Sequence, residues 1–253
     1  MSLPRNPLIV IPARLKATRL PDKPLADIAG APMIVHVWRA AKRAAIGPVV
    51  VAVAEAEIAR AVEAAGGQAV MTDPALASGS DRVHAAMRIV DPAGDHDAII
   101  NLQGDVPTIE PDALRAAFAL LADPAVDIGT LAVEIDDAAV AADTGSVKAV
   151  AAIAEGARHG RALYFSRNPV PAGKGPLYHH FGIYAYRRAA LERFVSLPHG
   201  VLEQRESLEQ LRALEAGMRI EVALVDSVPL EVNTPADLER VRTFVKRHAT
   251  GKT

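Results

Sequence analysis

A chain of 253 residues, 50% hydrophobic and 23% charged, has a globular composition and room for one large α/β domain. Its net charge of −2 excludes a general positive field for gathering nucleic acid or an anionic membrane, so an acidic ligand needs a local cluster of cations. The absence of cysteine excludes disulfides, a thiolate nucleophile and a Cys-based zinc site.

The opening, MSLPRNPLIV, lacks a charged region followed by a signal-length apolar core. No run approaches the roughly 20 apolar residues of a membrane span. A cytoplasmic protein is expected, with neither membrane nor nucleic acid as partner. PLIVIPA is a short apolar run and predicts a buried strand. From about Pro32, Ile34, Val37, Trp38, Ala41 and Ala45 recur at helical spacing. VVVAVA predicts the next strand, and EAEIARAVEAAGG a helix halted by Gly66 and Gly67. QAVMT is a third strand. A helix is expected to open after Ser80, with Asp81 near its start. AIINLQGD is a fourth strand, Pro111 opens a helix to about Leu121, and IGTLAVEI is a further strand.

This alternation predicts an α/β fold: a doubly wound, mostly parallel, Rossmann-like sheet. Ligands of such sheets bind at the carboxyl ends of the strands, so the loops after Ala13, Thr72 and Gly104 should share one crevice. From about residue 146 the rhythm changes. SVKAVAAIA, RALYFSR and YHHFGIYAYR are strand-like runs joined by Gly/Pro-rich turns, which predicts an antiparallel excursion over about 146–187. Helices are expected at roughly 188–196 and 203–216, then the strand RIEVALV. The last helix has Thr234 as N-cap, Pro235 at its first position and Asp237 three after the cap, with Leu238, Val241 and Val245 on its buried face. No linker is long enough to divide the chain, so 1–253 is read as a single domain.

The chemistry concentrates in IPARLKATRLPDKPLADIAGAPMI, residues 11–34. The first strand delivers a loop carrying Arg14, Lys16, Arg19 and Lys23 within ten residues. Fixed cations of this density suit a triphosphate, whose oxygens gain charge in the transition state. Pro21 and Pro24 stiffen the loop. NLQGD ends the fourth strand on Asp105, a carboxylate able to hold Mg²⁺ against phosphates, with Gln103 beside it. Arg167, at the end of ALYFSR, suits a bidentate grip on a carboxylate. His180 and Tyr184 have an even separation, which puts both on one strand face where they could reach the hydroxyls of a ligand. Alternatively, Tyr184 is core and His179 and His180 form a wet strand end. In ESLEQLRALEAG, Glu206, Glu209 and Gln210 gather near one side of a helix whose apolar stripe is Leu208, Leu211 and Leu214. The terminal GKT is not a P-loop, since Lys246 stands where the first glycine is needed, and no GxGxxG follows the first strand.

These segments together resemble the CMP-Kdo synthetase family, the 3-deoxy-manno-octulosonate (Kdo) cytidylyltransferases. The first loop is similar to that family's IPAR…TRLPxKPL signature. The resemblance recurs in order at MTDPALASGSDR, NLQGDVP, ALYFSRNPVP, HHFGIYAYR, LEQRESLEQLRALEAG and VNTPADLERVR, nearly the length of the chain. It implies a nucleotidyltransferase fold, Mg²⁺ as cofactor, and transfer of CMP from CTP to the anomeric hydroxyl of Kdo, giving CMP-Kdo and pyrophosphate for lipopolysaccharide biosynthesis. It implies Arg14, Arg19, Lys23 and Asp105 as catalytic residues. Nucleotide contacts would come from Pro12, Ala13, Arg14, Arg19, Lys23, Ser78, Gly79 and Gln103. Sugar contacts would come from Arg82, Gln103, Arg167, His180, Tyr184, Glu209 and Gln210, and the metal would be held by Asp105 and Asn233. A homodimer is implied as well, with the excursion near 160–187 as its surface.

The chain departs from the family pattern at several places. Asn233 replaces the usual Asp of VDTPEDL, Leu76 the usual His before SG, and Ala54 the Asp of VATD or VAVD. Val201 replaces a usual Pro, and TGSVK the usual NPNxVK. The alternatives left open are a cytidylyltransferase for a related acid, such as 8-amino-Kdo or a sialic acid, and a catalytically impaired nucleotide-binding paralogue.

Overall fold

The computed structural model describes residues 2–16 and 20–250. Arg19 and the terminal Gly251-Lys252-Thr253 lie outside the described residues. The chain divides into two compact units, one of Asn6–Leu114 with Pro229–Thr253, the other of Met1–Arg5 with Arg115–Val228.

The first unit begins with β1 (Pro7–Ala13), buried at every position. A single 3-10 turn (Lys23–Leu25) and the short strands β2 (Asp27–Ile28) and β3 (Ala31–Pro32) lead into α1 (Met33–Ala44). Then follow β4 (Val49–Val53), α2 (Ala56–Ala64), β5 (Gln68–Met71), α3 (Gly79–Val90) and β6 (Ala98–Asn101). β2 and β3 form a small antiparallel pair of their own; β5, β4, β1 and β6 pair parallel, in that order. The chain steps outward from β1 to β4 and β5, then crosses back to β6 on the other side of β1. Right-handed crossovers therefore send the helices of the two directions to opposite faces of the sheet. They also leave a crevice where the loops after β1 and β6 diverge.

The α3 start differs from expectation. Its N-cap is Ser78, not Ser80. Ser78 Oγ accepts from the Asp81 N–H, and the Asp81 carboxylate accepts from Ser78 N–H and Oγ–H, a reciprocal capping box. Ser80 is buried at the second position of the helix.

The second unit takes over within α4 (Pro111–Ala119). It continues through β7 (Ile128–Ile135), α5 (Ala138–Ala142), β8 (Lys148–Ile153), β9 (His159–Ser166) and β10 (Leu177–Arg187). Helices α6 (Arg188–Ser196), α7 (Val201–Glu206) and α8 (Gln210–Glu215) precede β11 (Ile220–Leu224). The order is β10-β7-β11-β9-β8. β10 with β7, β8 with β9 and β9 with β11 are antiparallel; β11 and β7 are parallel. The excursion is thus antiparallel as expected, and the fold is mixed α/β. The single helix expected over 203–216 is two, separated at Ser207, whose φ of 53° is left-handed. Leu208 and Leu211 are buried across this break, and that packing outweighs the helical preference of the segment.

The chain returns to the first unit with α9 (Pro235–Thr250). Its cap is the one expected: Asp237 Oδ2 accepts from the N–H groups of Asn233 (3.0 Å) and Thr234 (2.8 Å), and Thr234 Oγ1 accepts from Asp237 N–H. Val232, Leu238 and Val241 pack with Ile28 and Met33. Replacing Thr234 by Ala is expected to cost about 1 kcal/mol, read as a lowered melting temperature. Among the described residues no helix is long and apolar enough to cross a membrane.

Candidate active site

Within the first unit a cavity of about 490 Å³ opens beyond the carboxyl ends of β1 and β6. Its walls are Pro12, Ala13, Arg14 and Lys16 after β1, Lys23 on the 3-10 turn, Ser78, Gly79 and Arg82 at the start of α3, Gln103 to Asp105 after β6, and Asn233 before α9. Three loops separated by tens of residues converge because parallel strands all release their chains at one edge.

Local chemistry places each group. Gly104 has a steric reason: a Cβ there would lie 2.8 Å from the Pro12 carbonyl oxygen, so only glycine lets the β6 loop lie against β1. That approach puts the Asp105 carboxylate 2.8 Å from Lys23 Nζ. The Asp105 carbonyl accepts from Val232 N–H at 2.9 Å. Val232 points into the core at 0% exposure, so its neighbour Asn233 faces the other way, onto the cavity. The Asn233 amide nitrogen donates to Glu231 at 3.3 Å. Gln103 Nε2 donates to Asn101 Oδ1 at 3.2 Å, anchoring it to a fully buried residue of β6.

Arg82 is 2% exposed. Its Nη1 donates to Thr72 Oγ1 (2.6 Å) and to the Asp73 carbonyl (3.2 Å), while Nη2 is buried with no partner in the protein. Burial, then the charge of Arg14, pulls the Arg82 pKa below its usual value, and Glu55 and Asp73 oppose this. Two guanidiniums that disfavour each other, one with a donor unpaired, make a site that gains from an anionic oxygen. The first turn of α3 adds the positive end of a helix dipole. Among the described residues the cavity wall carries four cations, Arg14, Lys16, Lys23 and Arg82, together with the carboxylate of Asp105, on a chain whose net charge is negative.

The second unit holds the other expected residues. His180 is buried in β10, and burial followed by the neighbouring His179 lowers its pKa to about 3. The imidazole is therefore neutral. Thr130 Oγ1 lies 3.0 Å from His180 Nε2 and donates its own proton to the Ile183 carbonyl at 2.8 Å, so Nε2–H is the donor to Thr130. Nδ1 is left as an acceptor nitrogen. Tyr184 is 9% exposed, its ring 5.7 Å from that of His180. Its pKa is raised by burial, then Tyr186, then Glu209. The two rings sit together despite a bulge between Phe181 and Tyr184. Gln210 is buried at the head of α8. Arg167 donates from Nε to the Glu206 carbonyl (2.7 Å), from Nη1 to Thr144 (3.1 Å) and from Nη2 to Ser207 (3.3 Å). Its guanidinium is engaged with backbone carbonyls rather than directed at a single partner. The Glu206 carboxylate accepts from Ser166 Oγ and Arg167 N–H.

A cytidylyltransferase family model matches residues 8–220. The chain is 64% identical over 241 residues to the 3-deoxy-manno-octulosonate cytidylyltransferase of Paramagnetospirillum magneticum, covering 95% of this chain and 98% of that one. The chain belongs to the 3-deoxy-manno-octulosonate cytidylyltransferase family. The relative of the same name from Rhodospirillum centenum is 64% identical over 242 residues, with 96% of this chain and 94% of that one covered. A solved CMP:2-keto-3-deoxy-manno-octonic acid synthetase complexed with CTP superposes with a TM-score of 0.88 at 42% identity, over 96% of this chain and all of that one. A 4-diphosphocytidyl-2C-methyl-D-erythritol synthase from Anaerococcus prevotii shares the fold at 10% identity, TM-score 0.62.

For this member of the cytidylyltransferase family, reading the sequence missed Glu55. Its carboxylate accepts from the Leu15 N–H at 2.9 Å, beside Arg14. The available signal was its place just after β4, which neighbours β1 in any doubly wound order.

Proposed function

We propose that the chain transfers CMP from CTP to the anomeric hydroxyl of Kdo and releases pyrophosphate, as a cytoplasmic, Mg²⁺-dependent homodimer serving lipopolysaccharide biosynthesis. The observation that carries this reading is the cavity lined, among the described residues, by four cations and by Asp105. The names of relatives covering nearly the whole chain support the substrates.

Arg14, Lys16 and Arg82 would receive the triphosphate. Lys23 has three donor hydrogens, so it can keep Asp105 and still donate to a phosphate oxygen. Among the described residues no group of three or more His, Cys, Asp or Glu is placed to hold a metal. The donors present are the carboxylate of Asp105 and the amide oxygen of Asn233, which fits Mg²⁺, an ion that commonly takes one or two protein oxygens and fills its octahedron with phosphate and water. When bound, Mg²⁺ would neutralise phosphate charge and lower the pKa of a coordinated hydroxyl. The anomeric oxygen attacks the α-phosphorus in line; the new O–P bond forms as the bond to the β-phosphate oxygen breaks, and the hydroxyl proton passes to solvent. Fixed cations contribute most where charge builds on the leaving pyrophosphate. His180 as neutral acceptor, Tyr184, Gln210, Glu209 and Arg167 remain the groups proposed for the sugar.

The test is pyrophosphate release with CTP and Kdo, against ATP, GTP and UTP and against 8-amino-Kdo and sialic acid. Release dependent on both CTP and Kdo is expected. Release with another acid in preference to Kdo would move the sugar assignment, and CTP binding without release at saturating Mg²⁺ would make the chain a non-catalytic paralogue. Restoring a carboxylate by Asn233→Asp is expected to raise activity at limiting Mg²⁺ about tenfold, seen as a lower half-saturating Mg²⁺ concentration.

A further inference from the structure

We propose that Glu55 is a positioning residue for the triphosphate of CTP: its carboxylate ties down the main chain at Leu15 and thereby holds Arg14 and Lys16 on the cavity wall. The inference rests on the reading that this cavity receives the triphosphate.

The register of the sheet puts Glu55 in place. β1 and β4 run parallel with Ala13 opposite Val53, and the pairing continues past the strands through Ala54 N–H to the Ala13 carbonyl at 3.2 Å. Two residues further on, Leu15 and Glu55 come opposite one another. There the ladder stops, and the Leu15 N–H is satisfied by the Glu55 carboxylate at 2.9 Å. Glu55 is also the residue preceding α2, in extended conformation, where a short polar side chain would cap the helix. Its side chain makes no such cap. The longer glutamate crosses to a loop forty positions away in sequence, so its length serves the loop rather than its own helix.

The electrostatics point the same way. Glu55 is close enough to raise the Arg82 pKa while Arg14 lowers it, so a negative group stands among the cations of an anion site. By charge alone it repels a triphosphate. A carboxylate in that position is useful only if what it fixes is worth more than what it repels. A hydrogen bond from a backbone amide to a carboxylate, at the root of a loop carrying two of the clamp's cations, is such a contribution. Glu55 also offsets the effect of Arg14 on Arg82.

Glu55→Ala, Glu55→Gln and Arg14→Ala would be compared for kcat, KM for CTP, KM for Kdo and melting temperature. Glu55→Ala is expected to raise the KM for CTP about tenfold, with kcat and the KM for Kdo within about twofold. Gln keeps an acceptor for the Leu15 N–H while losing the charge, and is expected to recover most of that loss. Arg14→Ala reports on the site itself. If it leaves the KM for CTP unchanged, the cavity reading fails. If Arg14→Ala raises it and Glu55→Ala does not, or if Glu55→Gln is as weak as Glu55→Ala, the positioning role is overturned. A parallel fall of kcat and melting temperature in Glu55→Ala, without a selective change in the KM for CTP, overturns it as well.

Discussion

Asp105→Ala is expected to lower kcat for pyrophosphate release about a thousandfold while the protein stays folded and still binds CTP. The size follows from its place. Asp105 is the carboxylate on the cavity wall, 2.8 Å from Lys23 and facing the same space as Asn233. Losing one preorganised charge at a reacting phosphate costs about two to three orders of magnitude. The other oxygen proposed for Mg²⁺, that of Asn233, belongs to a neutral amide, so nothing of equal charge would replace it. Stability should hardly move. The Asp105 side chain is 27% exposed, and ion pairs of that kind contribute about 1 kcal/mol or less. The backbone bond from Val232 N–H to the Asp105 carbonyl survives the substitution. CTP binding measured without Mg²⁺ should persist or tighten, because Arg14, Lys16, Lys23 and Arg82 remain and a repelling charge has gone. Asp105→Asn should behave alike, since charge rather than shape is what is lost. A variant retaining a tenth of native kcat would remove Asp105 from the mechanism.

Asp105, Arg14 and Lys23 could be picked out of the sequence because their signals are local. A buried apolar run ends, a polar residue follows, and the strand-helix alternation says which ends share an edge. Features missed in reading arise where tertiary context overrides local pattern. Ser78 and Ser80 both precede an acid, but only Ser78-x-x-Asp81 has the spacing of a capping box, so that signal was present and misassigned. Nothing near Ser207 marks a break: no Gly or Pro interrupts the leucine pattern, and the left-handed turn follows from burying Leu208 and Leu211. Lys148 looks like a strand-surface lysine, yet it is fully buried, donating to the carbonyls of Asp143, Ser146 and Arg167. Arg167 ends a strand as a carboxylate-binding arginine would, and the carbonyls of Thr144, Glu206 and Ser207 that hold its guanidinium are supplied only by the folded chain. The parallel placing of β11 beside β7 is a long-range choice that alternation along one strand cannot specify.

The largest stability effect is expected from Arg212→Ala, in the second unit. Arg212 and Glu203 are 8% and 9% exposed at the side chain, and Arg212 donates to both Glu203 oxygens, from Nη2 at 2.6 Å and Nε at 2.9 Å. Its guanidinium also lies 4.9 Å from the Phe194 ring centre. Burial alone would raise the Glu203 pKa; hydrogen bonds from Arg212, the Gly200 N–H and His199 outweigh it and hold the carboxyl at about 2. Against an unfolded value of about 4.3, that difference corresponds to about 3 kcal/mol. Removing only Arg212 leaves a buried carboxylate without its main partner, an effect of about 3 to 5 kcal/mol, or a fall in melting temperature of about 10 °C. The pH dependence fixes the sign. A carboxyl whose folded pKa is depressed stabilises fully above its unfolded value and loses that contribution as pH falls through the folded one. The native protein should therefore lose about 3 kcal/mol between roughly pH 5 and pH 2 through this group, and Arg212→Ala should show a flatter acid limb. Replacing both residues by methionine should restore most of the loss at neutral pH, because two packed apolar side chains need no partner. If the single variant melts within about 2 °C of the native protein, the pair is not what holds α7 to α8.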